Sequence, residues 1–169
     1  MTLVENVVIL NKMKRSARGF TLIELLLVIG IISTLLVIVF VALNPAQRFK
    51  DARDAKRSTD VETILSAIHT SIVDNKGTLP TGLSAGMSET QLGTAVTGCA
   101  IATGGCSVVG AATCVDLTTP LVKYLKSIPI DPNGGTAALT KYSVVVDANG
   151  IVTIKACGTE GSTNISTSR

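Results

Sequence analysis

FTLIELLLVIGIISTLLVIVFVAL, Phe20–Leu43, decides the architecture of this chain. The stretch holds one charge, Glu24, and no proline. Wound as a helix, its 24 residues reach ~36 Å, enough to cross the ~30 Å hydrocarbon core of a bilayer. Its apolar residues cover every side, unlike the single stripe of a helix lying on a soluble domain. The rest of the 169-residue chain is too small and too thinly apolar to wrap it. The reading is a membrane span, not a buried core helix.

Charge is distributed as unevenly as hydrophobicity. Lys12, Lys14, Arg15 and Arg18 precede Phe20, with Glu5 as the only acid there. From Phe20 onward bases and acids balance, so the formal +3 belongs to the first nineteen residues. A role that needs net positive charge, such as coating nucleic acid, loses its support once those residues are removed. Basic residues before a span favour a cytoplasmic N-terminus. Arg48, Lys50, Arg53, Lys56 and Arg57 follow the span closely, so the count of bases alone does not fix the orientation. Aromatic residues are 3% of the chain, too few for a stacking platform, and the single His69 speaks against a His-based metal site or a Ser–His–Asp triad. No paired catalytic carboxylates, phosphate loop or metal-ligand cluster is legible, and an enzyme is not expected.

The junction between leader and span is more specific. An ordinary secretory signal is cut after its apolar stretch, at small residues. Here Asn44-Pro45 and a charged segment follow the stretch, with no A-x-A site. The order Lys14, Arg15, Arg18, Gly19, Phe20, Thr21, Leu22, Ile23, Glu24 and then a hydrophobic run resembles the processing motif of type IV pilin and type II secretion pseudopilin precursors. The resemblance implies cleavage between Gly19 and Phe20 by a prepilin peptidase on the cytoplasmic side, then N-methylation of the Phe20 amine. It also implies retention of the apolar run, first as anchor in membrane lipid and later as filament core. Read from Met13, the leader MKRSARG has the length usual in the family, and translation is expected to start there.

Glu24 has a physical argument of its own. A carboxylate at a helix centre in lipid costs ~2.5–3.5 kcal/mol, although one turn from the helix start it can reach the interface. Buried among packed helices it needs a partner. Cleavage frees the Phe20 amine, a positive charge that methylation retains. Glu24 can pair with its own N-terminus or with that of a neighbour, and the resemblance implies the neighbour; the plain alternative is a favourable acid in the first helical turn. Phe20 and Glu24 are thus the expected assembly residues, and Gly19 and Phe20 the processing residues.

Beyond Pro45, the segment Gln47 to about Asn75 reads as an amphipathic helix. Phe49, Val61, Ile64, Leu65, Ile68 and Ile72 form its apolar side, largely at three- and four-residue spacing. Lys50–Asp54, Lys56–Asp60 and Asp54–Arg57 have the spacing of ion pairs along the helix, and a solvated charged face is the preferred reading over salt bridging between subunits. Asn75 or Gly77 is positioned to supply a left-handed cap. Thr81 to Ala112 reads as an irregular loop with short strands. A short helix is expected to start at Thr119-Pro120, and KYSVVVDANGIVTIKAC reads as a β-hairpin turning at Asp147–Gly150. The tail GTEGSTNISTSR is expected to be mobile.

Cys99, Cys106, Cys114 and Cys157 are even in number, lie in the C-terminal half and lack CxxC spacing, which fits two disulfides in an exported domain. Three connectivities are open; the expected one joins Cys99 to Cys106 and Cys114 to Cys157. The Asp-Pro motif, the hairpin and Glu160 look like the C-terminal part of a major pseudopilin, a family whose loop here can hold calcium. Asp131, Asp147 and Glu160 are oxygen donors, but calcium takes six to eight ligands, and turn residues are the preferred reading.

The expected fold is α+β and pilin-like, a long N-terminal helix on a small antiparallel sheet with disulfide-tied loops. Its parts are a leader (1–19), an apolar helix (20–43), an amphipathic continuation (44–76) and an extracytoplasmic domain (77–169). The implied partners are the prepilin peptidase, copies of itself and other pilins, and an inner-membrane assembly platform, with no specific nucleic acid and no cofactor. The implied location is the inner membrane in a single pass, with the C-terminus outside the cytoplasm, then a periplasmic or extracellular filament. The competing class is a membrane-anchored surface domain that binds a ligand without polymerising.

Overall fold

The computed structural model describes residues 19–110, 113–161 and 164–169. The leader residues 1–18, and with them the expected start at Met13, lie outside the described residues. The chain divides into two compact units, before and after the Asn44–Pro45 junction.

The first unit is helix α1, Leu22–Leu43. None of its side chains is buried. Its length and composition suit a membrane crossing. The two hydroxyls within it are satisfied internally, Ser33 donating to the Ile29 carbonyl at 2.7 Å and Thr34 to that of Ile31 at 2.8 Å. The helix therefore offers lipid or a packing partner an almost wholly apolar surface. Asn44, in the left-handed conformation, is its C-cap, and Pro45 opens the next helix. Proline fits a first helical position because its missing N–H would have no partner there.

The second unit is α+β. Helix α2, Pro45–Asp74, packs on an antiparallel four-stranded sheet in the order β1-β2-β3-β4 (Thr90–Gln91, Tyr142–Val146, Val152–Ala156, Ile165–Ser168). In the register of the central hairpin Tyr142 faces Ala156, Val144 faces Ile154 and Val146 faces Val152. Those six side chains meet Val61, Ile64, Leu65 and Ile68 of α2 in the core, which Leu92, Leu117 and Leu121 complete. Burying each such aliphatic side chain contributes about 1.5–3 kcal/mol. Asp147 fixes the hairpin turn, its Oδ1 accepting from Asn149 N at 2.8 Å and Ile151 N at 2.7 Å.

Helix α2 ends in a Schellman arrangement, Gly77 N donating to Ile72 O at 2.8 Å and Lys76 N to Val73 O at 3.2 Å. The left-handed residues are Lys76 and Gly77, not Asn75. Asn75 instead donates its side-chain amide to the Ser71 carbonyl at 2.8 Å.

Four other expectations are corrected. Phe49 is exposed, so the apolar stripe starts at Val61. The segment after Thr119-Pro120 is a run of turns, although Leu121 is buried and Tyr124, Leu125 and Ile128 pack against the core as expected. Residues Ile165–Ser168 of the tail are a strand: Ala156 pairs with Ile165 and Ile154 with Thr167. The disulfides are Cys99–Cys114 and Cys106–Cys157. Loop folding explains them. Cys114 N donates to Ala95 O, four residues before Cys99. Ile101 and Val108 bridge, and Thr103 donates to the Cys157 carbonyl at 2.7 Å, which brings the Cys106 turn onto the end of β3. That approach needs Gly104. Its φ is +60°, and a Cβ there would lie 2.5 Å from the Cys157 carbonyl oxygen.

Candidate processing and assembly site

The residues expected to direct processing and assembly lie at the start of α1. Gly19 and Phe20 precede the helix in non-helical conformation, and the Phe20 ring is 83% exposed. A Cβ added at Gly19 would meet nothing within 4 Å, so packing does not demand glycine there. Thr21 is the N-cap, and Thr21 and Glu24 form a capping box. Glu24 N donates to Thr21 Oγ1 at 3.2 Å, and Glu24 Oε2 accepts from Thr21 N at 3.4 Å and from Thr21 Oγ1 at 3.2 Å. Two of the unpaired donors of the first turn are thus satisfied reciprocally. In the single chain Glu24 serves the helix start, the role the plain alternative gave it.

A second polar cluster, which sequence reasoning read as a solvated face, ties α2 to the C-terminal segment. Arg57 is wholly buried. Its Nε donates to Asp131 Oδ2 at 2.6 Å, its Nη2 to Asp131 Oδ1 at 3.0 Å and its Nη1 to Asp54 Oδ1 at 2.7 Å. Arg53 Nε donates to Glu160 Oε2 at 2.5 Å, and Asp54 accepts from the backbone N–H groups of Glu160 and Gly161. Of the three expected pairs, Asp54–Arg57 and Lys56–Asp60 form and Lys50–Asp54 does not. Asp60 is buried and accepts from the Tyr142 hydroxyl at 2.9 Å. The available signal was position: Arg57 and Asp60 lie one turn before Val61 and Ile64, on the line of the apolar stripe.

The electrostatics follow these contacts. Burial works against ionised Asp54, but the Glu160 N–H, the Arg57 guanidinium and the Gly161 N–H outweigh it and hold the carboxyl below its ordinary range. The Arg53 guanidinium, assisted by Arg57 and Asn133, does the same for Glu160. Asp131 pushes the Arg57 guanidinium further up. Burial, reinforced by Asp60, pushes the Tyr142 phenol well above its usual value.

The three acids considered for calcium are not gathered. Asp131 and Glu160 share the arginine cluster, whereas Asp147 serves the hairpin turn. Among the described residues, no group of three acids, histidines or cysteines is placed to hold a metal ion. His69 lies at the domain edge, its Nε2 3.1 Å from the Arg169 carbonyl.

Against this geometry, a family model described as "Prokaryotic N-terminal methylation motif" matches residues 14–40. The chain carries the type IV pilin and pseudopilin signature. No curated protein and no solved structure matched. The matched residues contain the basic end of the leader, Gly19, Phe20, the capping box and most of α1. The motif implies processing by a prepilin peptidase, and α1 fits a single-pass anchor.

Proposed function

We propose that this chain is the precursor of a filament subunit of a type IV pilus or a secretion pseudopilus. One observation carries the reading: the matched motif ends its basic leader at Gly19 and continues directly into a helix with no buried side chain. The peptidase cuts between Gly19 and Phe20 and methylates the new amine. The subunit waits in the inner membrane with the Pro45–Arg169 unit outside the cytoplasm. An assembly platform then draws it into a fibre with copies of itself and other pilins. Lipid around α1 is exchanged for neighbouring helices, so packing, not a fresh hydrophobic transfer, drives association.

In the fibre Glu24 leaves its local cap and pairs with the Phe20 ammonium of an adjoining copy. Buried among apolar helices, an unpaired carboxylate is costly, and the pair sets the axial register. Gly19→Val tests the processing step without disturbing packing, because space around Gly19 is open. Immunoblots of membranes should show only the uncleaved precursor; a mature-length band would contradict the assigned cut.

A further inference from the structure

The Pro45–Arg169 unit places two arginines against Asp131 and Glu160, two of the acids considered for calcium. The acids of the cluster are already engaged. Asp131 Oδ1 accepts from Arg57 and from Asn133 N at 2.7 Å, and Oδ2 accepts from Arg57 Nε. Glu160 Oε1 accepts from the Asn133 side-chain amide at 2.7 Å, and Oε2 from Arg53. Both Asp54 oxygens accept N–H groups. Each carboxylate oxygen of the cluster therefore already accepts from a nitrogen, and the Arg57 guanidinium bonds both Asp131 and Asp54 where an ion shared by these acids would sit. Backbone closes the remaining side, since a Cβ on Gly158 would lie 2.5 Å from Asp131 Oδ2. These residues do not fit a calcium ion.

We propose that Arg57, assisted by Arg53, is a built-in replacement for such an ion. Together the two guanidiniums supply two positive charges, the charge of one calcium. Arg57 fixes the 131–135 turn through Asp131 and reaches Glu160 Oε2 at 3.6 Å, while Arg53 and Asp54 hold the segment at Glu160-Gly161. The planar fork of Arg57 binds Asp131 through two donors, a geometry that a lysine does not reproduce. The result is a clip that joins α2, the Asp-Pro turn and the start of the C-terminal segment without metal.

The test uses the full-length protein in detergent micelles, followed by thermal unfolding and by limited proteolysis around Glu160. Wild type should melt at the same temperature in EDTA and in millimolar calcium chloride. A lower Tm in EDTA, or a saturable rise with calcium, would overturn the proposal. Arg57→Met keeps the length and removes the charge; it should lower Tm by several degrees and open the Glu160 segment to protease. Should that variant fail to accumulate, Arg57→Met combined with Asp131→Asn, which removes the buried partner charge as well, should recover folded protein. Wild-type melting of the single variant, or a double variant no more stable than the single one, would equally overturn it.

Discussion

Glu24 is asked to do two things, and substitution separates them. In the single chain its carboxylate closes the capping box with Thr21. In the proposed fibre it neutralises a neighbour's Phe20 ammonium. Glu24→Gln keeps the hydrogen-bonding of a capping box but loses the charge. If pairing matters, Gln and Ala at this position should both reduce incorporation into sheared fibres by about tenfold or more, the effect of ~1.4 kcal/mol per contact. Membrane insertion and cleavage should be unchanged. Wild-type fibre yield from the Gln variant would leave capping as the residue's whole role. Elsewhere, Gly158 answers to packing. A methyl group there collides with Asp131 Oδ2 at 2.5 Å, so Gly158→Ala should cost about 1–3 kcal/mol in denaturant unfolding. The motif around Gly19 and Phe20 was legible because it is a linear word that does not depend on folding. Gly158 was not, because its constraint comes from a side chain 27 residues earlier in the chain that folding brings alongside.

At the scale of elements, periodic segments were legible and closures were not. The apolar α1 announces itself by an unbroken apolar run, and the Val61–Ile68 stripe and the Tyr142–Ala156 hairpin by spacing, since each of these two buries a face of fixed period. The strand Ile165–Ser168 carries little apolar signal, because Thr, Ser and one Ile serve an edge paired on β3. Arg57 read as solvated because ion-pair spacing along a helix does not reveal a partner 74 residues away. Cysteine pairing depended on how an irregular loop folds back, which no local pattern specifies. Peptide mapping without reduction should recover Cys99–Cys114 and Cys106–Cys157. Their sequence separations are 15 and 51, so in the chain-entropy picture the second constrains the unfolded state more, by about 4 against about 3 kcal/mol. Replacing Cys106 and Cys157 by serine should therefore lower stability more than replacing Cys99 and Cys114. Equal losses would place the stabilisation elsewhere than in loop closure.

At the scale of the whole molecule, stability and assembly call on different parts of the chain. The Pro45–Arg169 unit is held by its core and by carboxylates whose affinity for protons is lowered by folding: Asp54, Glu89 and Glu160. For Glu89, burial opposes ionisation but Lys155 and Ser143 outweigh it. A lowered carboxylate pKa contributes stability that is fully present above the unfolded value, ~4, and is lost as pH falls further. Tyr142 works in the opposite sense: its raised value stabilises the fold below ~10 and that contribution fades as pH rises beyond it. Melting temperature should therefore hold across neutral pH, fall below about pH 4 and fall again above about pH 10. A flat acid limb would contradict the carboxylate contacts. Under the proposed function, assembly depends instead on α1 and the residues that begin it. The mature N-terminus, read by mass spectrometry on protein recovered from sheared surface fibres, tests that dependence most directly. The account predicts a first residue Phe20 carrying a single methyl group on its amine, and a chain that begins at any other residue would contradict it.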